Sequence, residues 1–178
     1  MNENERLGTQ RLYALFERYP AVATDSRRAG EGTIFFALRG DRFDGNRFAL
    51  AALDAGAACA VVDDPVVAAS AGEVYAGRIV TVDDALAALQ ALAREHRRRL
   101  GIPLLAIVGS NGKTTTTQML ASILLVRWGA ERMCATEGNF NNEVGVPKML
   151  LKLAFEHRGA VIECGMNHRG EMARLADW

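Results

Sequence analysis

The stretch Leu104-Leu105-Ala106-Ile107-Val108-Gly109-Ser110-Asn111-Gly112-Lys113-Thr114-Thr115 carries the organisation of the chain. Its first five residues are a continuous apolar run, the pattern of a strand buried on both faces of a parallel sheet. Two glycines then bracket Ser110 and Asn111, and a helical pattern opens at Lys113 and continues to Trp128. A glycine turn between a buried strand and a helix aims consecutive backbone N–H groups at one point, and the helix amino terminus adds partial positive charge there. Lys113 supplies a point charge for terminal phosphates, and the Thr114 hydroxyl suits a magnesium ion. Gly109, Ser110, Asn111, Gly112, Lys113, Thr114 and Thr115 are therefore expected to hold ATP with Mg2+. The general phosphate-loop pattern has four residues between its glycines and this chain has only Ser110 and Asn111, but the position between strand and helix supports the reading.

Downstream, the pattern predicts a short strand over 132–135, a polar loop, a helix over 147–153 and a strand over 160–162. Strand, helix, strand, helix, strand at this spacing implies right-handed crossovers and a parallel sheet. Glu163 closes the last apolar run, which puts it at the carboxyl edge where open parallel sheets bind ligands. It is the candidate second anchor for the metal.

Upstream, short apolar runs alternate with helical patterns. Thr9 is expected to cap a helix carrying Leu12, Leu15 and Phe16 that ends at Pro20. Residues 33–38, 59–62 and 78–80 read as strands, and 48–53 as an amphipathic helix. Asp83 is expected to cap a long helix reaching Arg99, with Leu86, Leu89 and Leu92 on one side. The arginines crowding its last turns complement the helix dipole and read as a solvated face. Gly101-Ile102-Pro103 breaks that helix. The expected fold is α/β: a small mixed α/β domain over 1–100, then an incomplete phosphate-loop domain with a parallel sheet over 101–178.

Composition narrows the function. The 178 residues carry 21 basic and 21 acidic side chains, so no net field steers the chain toward a nucleic acid. The longest apolar stretch, 119–126 with Ser122 inside it, is far short of the ~20 residues of a membrane span. The amino terminus lacks an apolar signal core, and a cytoplasmic protein without membrane insertion is expected. Cys59, Cys134 and Cys164 form no CxxC pair, and His96, His157 and His168 fall at no ligand spacing. Cys59 and Cys134 read as small buried hydrophobes.

The loop 109–115 resembles that of the Mur ligases and their folylpolyglutamate synthetase relatives. Glu137-Gly138-Asn139-Phe140-Asn141-Asn142-Glu143-Val144-Gly145-Val146-Pro147 and the stretch from Ala160 through Glu163-Cys164-Gly165-Met166-Asn167-His168 to Glu171 are similar to the D-alanyl-D-alanine-adding members of that family. Asp25-Ser26-Arg27, Gly32, Phe35, Ala37-Leu38, Gly40 and Asp44-Gly45 resemble the family's uridine-nucleotide-binding domain. The resemblance implies an ATP-dependent ligase of peptidoglycan precursor synthesis, acting as a monomer on UDP-N-acetylmuramoyl-tripeptide and D-alanyl-D-alanine through an acyl phosphate. It implies that Thr114 and Glu163 hold Mg2+, and that Lys113 and Asn142 serve catalysis. By the same resemblance Ser26, Arg27, Asp44, Gly45 and Asn46 meet the uridine diphosphate. Asn139, Asn141 and Asn142 would hold the sugar-peptide, since amides both donate and accept without adding charge.

The family continues beyond position 178, so the chain is expected to bind a uridine nucleotide without completing a peptide bond. Its second half is expected to expose a sheet edge and an apolar face. The alternatives are a non-catalytic uridine-nucleotide-binding module, the diaminopimelate- or lysine-adding ligase, and a generic phosphate-loop kinase or ATPase. The first domain argues against the last, and the stretch from Asn139 to Pro147 against the diaminopimelate or lysine ligase.

Overall fold

A computed structural model describes residues 3–165. The chain forms two compact units, Met1–Leu92 and Ala93–Trp178, with the divide inside a helix rather than at the glycine–proline break that follows it.

Unit 1 runs α1 (Glu3–Arg18), β1 (Ala21–Ala23), β2 (Thr33–Phe36), β3 (Arg39–Gly40), β4 (Phe43–Asp44), α2 (Ala49–Asp54), β5 (Cys59–Val62), α3 (Pro65–Ser70), β6 (Ile79–Thr81) and the start of α4 (Ala85–Leu100). The strands form a parallel sheet in the order β1-β2-β5-β6, and β3 and β4 make a separate antiparallel pair. Ile34, Phe35 and Phe36 and the whole of β5 are buried, which is why both segments read as unbroken apolar runs. Three local expectations change. Thr9 lies inside α1, where its hydroxyl donates to the Glu5 carbonyl at 2.8 Å instead of capping a helix end. Asp84, not Asp83, caps α4, accepting from the Ala87 N–H at 2.9 Å. The strand expected over 33–38 stops at Phe36, because Leu38 N–H turns back to the Phe36 carbonyl and leads the chain into β3.

Unit 2 continues with β7 (Leu104–Ile107), α5 (Lys113–Trp128), β8 (Met133–Ala135), α6 (Gly145–Leu150) and β9 (Gly159–Glu163). Its sheet is parallel, in the order β7-β9-β8. Central β9 is buried throughout. β7 is not, contrary to the expectation of a strand buried on both faces. It pairs with β9 alone among the described residues, and Leu105 and Val108 are each 49% exposed. On α5, Met119, Ile123 and Val126 fall at helical spacing and all are exposed, a continuous apolar stripe. Cys59 and Cys134 are buried, and burial pushes both thiols up to about 11, so they behave as hydrophobes. No helix among the described residues is long and apolar enough to cross a membrane.

Candidate functional site

Register positions the site of unit 2. Ile107 is the ladder partner of Glu163, and the Cys164 N–H donates to the Ile107 carbonyl at 2.9 Å. The end of β9 therefore sits beside the end of β7, where the loop 109–112 begins. In that loop Gly109 has φ 147° and Gly112, which opens α5, has φ 75°. Both values lie where a side chain is strained, and they turn the backbone into the first turn of the helix. Ser110, Asn111, Thr114 and Thr115 are exposed. Lys113 folds back, its Nζ donating to the Gly109 carbonyl at 2.9 Å, so the ammonium already stands over the loop it is expected to serve.

Glu163 is 3% exposed. A buried carboxylate is costly unless bonded or paired with a cation. Its Oε1 accepts from Asn141 Nδ2 at 2.7 Å, and its backbone N–H donates to Thr136 Oγ1 at 2.7 Å. The Asn141 carbonyl in turn accepts from Gly165 N–H at 2.6 Å, which lays the 136–145 loop across the exit of β9. Asn142 Oδ1 accepts from the Val144 and Gly145 N–H groups at 3.2 and 2.8 Å, so α6 starts earlier than its expected position at 147. Asn139 is exposed, whereas the side chains of Asn141 and Asn142 are engaged within the protein.

The donor chemistry fits magnesium: a carboxylate at a strand end and a threonine hydroxyl at a helix start are hard oxygen ligands. Among the described residues no cluster of three or more His, Cys, Asp or Glu could hold a metal on its own. Two protein oxygens completed by nucleotide phosphates are the usual magnesium arrangement. Thr136 escaped the sequence reading, as did Thr117, whose buried Oγ1 has no hydrogen-bond partner among the described residues. His168 and Glu171 lie outside the described residues.

The candidate residues of unit 1 lie in two turns, one after β1 and one after the β3–β4 hairpin. Ser26 and Arg27 occupy a 3-10 turn after β1, capped by Asp25. Arg27 is held by Asp25 through Nε at 3.0 Å and Nη2 at 2.7 Å. Those side-chain bonds lower the Asp25 carboxyl to about 2. Its guanidinium fork is thus pre-oriented and exposed, although two of its donors already face a carboxylate. Asp44 caps a second 3-10 turn, Gly45–Phe48, and the Asn46 side-chain bond lowers its carboxyl. Asn46 is 2% exposed and bonded to Asp44 and Asp63. What it offers a ligand is therefore the shape of the loop rather than an open amide.

Comparison with known proteins gives this arrangement a family. Residues 18–97 match the Mur ligase family, catalytic domain, and residues 107–178 match the Mur ligase middle domain. The chain belongs to the Mur ligase family. It is 42% identical over 156 residues to a UDP-N-acetylmuramoyl-tripeptide–D-alanyl-D-alanine ligase of Synechocystis, and 39% identical over 159 residues to that of Bacillus subtilis. Each match covers 88% of this chain and 33% of the relative, so the chain spans about a third of their length. Among solved structures, MurF from Acinetobacter baumannii superposes with a TM-score of 0.76 at 36% identity, over 91% of this chain and 36% of that one. MurF ligase from Thermotoga maritima in complex with ADP gives 0.74 at 30% identity, over 91% and 35%. The α/β class with parallel sheets is the fold of these neighbours.

Proposed function

We propose that the chain is the amino-terminal part of a cytoplasmic, monomeric ligase that joins D-alanyl-D-alanine to UDP-N-acetylmuramoyl-tripeptide with ATP and Mg2+. Unit 1 takes the uridine nucleotide and unit 2 the ATP phosphates. The observation that supports this reading is the pairing of Ile107 with Glu163, which brings the end of β9, with its buried Glu163, beside the strand that leads into the Lys113 loop. The named activity of the relatives supports the same reading.

The chemistry is that of bringing two anions together. A substrate carboxylate must approach the γ-phosphate of ATP, and their repulsion is the barrier that the site has to lower. Lys113 neutralises the phosphate side, and the backbone N–H groups at the start of α5 orient the phosphate oxygens. Thr114 and Glu163 would hold the magnesium ion, which supplies further charge neutralisation when bound. The carboxylate displaces ADP to give an acyl phosphate, and the amine of D-alanyl-D-alanine then displaces phosphate from the carbonyl carbon. Asn141 and Thr136 keep Glu163 in place during these steps.

The test is phosphate release by the full-length ligase that carries this sequence, with ATP, Mg2+ and UDP-N-acetylmuramoyl-tripeptide. Release should require D-alanyl-D-alanine. Equal release with diaminopimelate or lysine on the dipeptide substrate would assign the chain to the neighbouring branch of the family.

A further inference from the structure

Asp63 follows β5, and three other parts of unit 1 meet at its carboxylate. Oδ1 accepts from Asn46 Nδ2 at 2.7 Å and pairs with Arg39 Nε at 2.9 Å. Oδ2 accepts from the Ala85 N–H, at the start of α4, at 3.3 Å. The Asp63 N–H itself donates to Asn46 Oδ1 at 3.2 Å. On the other side of Asn46, Asp44 Oδ1 accepts from both its backbone N–H and its Nδ2, at 2.9 and 2.8 Å. The Gly45 N–H donates to the Leu38 carbonyl at 2.8 Å. The Asp44-Gly45-Asn46 loop is thus tied down along its inner side, and Asp63 anchors it from β5, distant in sequence from the hairpin and its turn.

We infer that Asp63 is a positioning residue for uridine-nucleotide binding: it holds the Asp44-Gly45-Asn46 loop in its binding shape without touching the ligand. The inference rests on reading unit 1 as the uridine-nucleotide site. The side chain of Asp63 is 12% exposed, and both of its carboxylate oxygens are already engaged within the protein. The charge balance points the same way. Arg39 also lies 3.8 Å from Asp44 and from Asp64, so one guanidinium faces three carboxylates. A diphosphate gains nothing from such a cluster, whereas the geometry of the loop does. Removing the carboxylate leaves the buried Asn46 amide short of an acceptor, and the loop relieves this by turning toward water.

The experiment titrates the whole chain with UDP calorimetrically, as wild type, Asp63→Ala, Asp63→Asn and Asn46→Ala, with far-UV circular dichroism confirming a folded state. Asp63→Ala should weaken UDP at least about tenfold, the effect of one orphaned buried polar group. Asp63→Asn should stay within about threefold, because its Oδ1 still accepts from Asn46 and Arg39, while the half-exposed charge pairing with Arg39 and the long Ala85 contact are lost. Asn46→Ala breaks the same tie from the other side and should match Asp63→Ala, which keeps the test open if Asp63→Ala does not fold. Unchanged UDP affinity in either alanine variant overturns the inference. So does a loss in Asp63→Asn equal to that in Asp63→Ala, because the effect would then be one of charge rather than shape. Failure of the folded wild type to bind UDP removes the uridine reading itself, a result distinct from the other two.

Discussion

Replacing Lys113 with alanine should lower turnover of the full ligase by about 10²–10³-fold, the usual cost of removing one charge stabiliser from a transferring group. The Lys113 ammonium bonds to the Gly109 carbonyl at 2.9 Å, so it needs only to swing from that carbonyl to a phosphate oxygen of a nucleotide in the loop. Arginine is a poor substitute, since its planar fork does not reproduce a compact point charge at the start of a helix. The loss should fall on the chemical step and on ATP, and uridine-nucleotide affinity should be unchanged because the proposed uridine contacts lie in unit 1. Steady-state phosphate release and a UDP titration of the same variant separate the two effects. Turnover within a few-fold of wild type would remove the phosphate-loop assignment.

Gly45→Ala should be the most damaging small substitution in unit 1. A Cβ at this position would stand 2.6 Å from the Leu38 carbonyl oxygen and 2.8 Å from the Ala37 carbonyl carbon, both backbone atoms. Backbone cannot swing aside as a flexible side chain does, so either the Gly45 N–H bond to Leu38 breaks or the end of β2 shifts. Overpacking of this kind costs roughly 1–3 kcal/mol or more. The variant should show a lowered midpoint in urea unfolding of unit 1 and a loss of UDP affinity at least as large as that of Asp63→Ala. Wild-type stability together with wild-type UDP affinity would show that the close approach of this loop to β2 has no bearing on binding.

What could be read from the sequence follows from which contacts are local. The loop 109–115 announces itself because its glycines, lysine and threonines are consecutive, and the backbone angles at Gly109 and Gly112 are a local property. β5 and β9 are legible as uninterrupted apolar runs because both are buried throughout. Glu163 stands out as an acid closing such a run. Asp63 carries the same signal at the end of β5, but its role is not a local one. Its partners, Asn46 at 17 residues and Ala85 at 22, are joined only by the fold. β7 shows the opposite failure: its composition is that of a buried strand, but burial depends on neighbours, and Leu105 stays half-exposed. The asparagines of the 136–145 loop were legible as a group, but not their individual roles. Whether an amide meets a ligand or holds a glutamate depends on which strand end lies next to it, and only the β8–β9 pairing decides that.

The most direct test of the account is a calorimetric titration of the 178-residue chain with UDP-N-acetylmuramoyl-tripeptide in the presence of Mg2+, followed by a phosphate-release assay on the same sample with ATP and D-alanyl-D-alanine. Saturable one-to-one binding without substrate-dependent phosphate release is predicted, because the proposed uridine contacts lie in unit 1 while the chain spans only 33% of the relatives' length. A folded chain that binds neither UDP-N-acetylmuramoyl-tripeptide nor UDP would contradict the account.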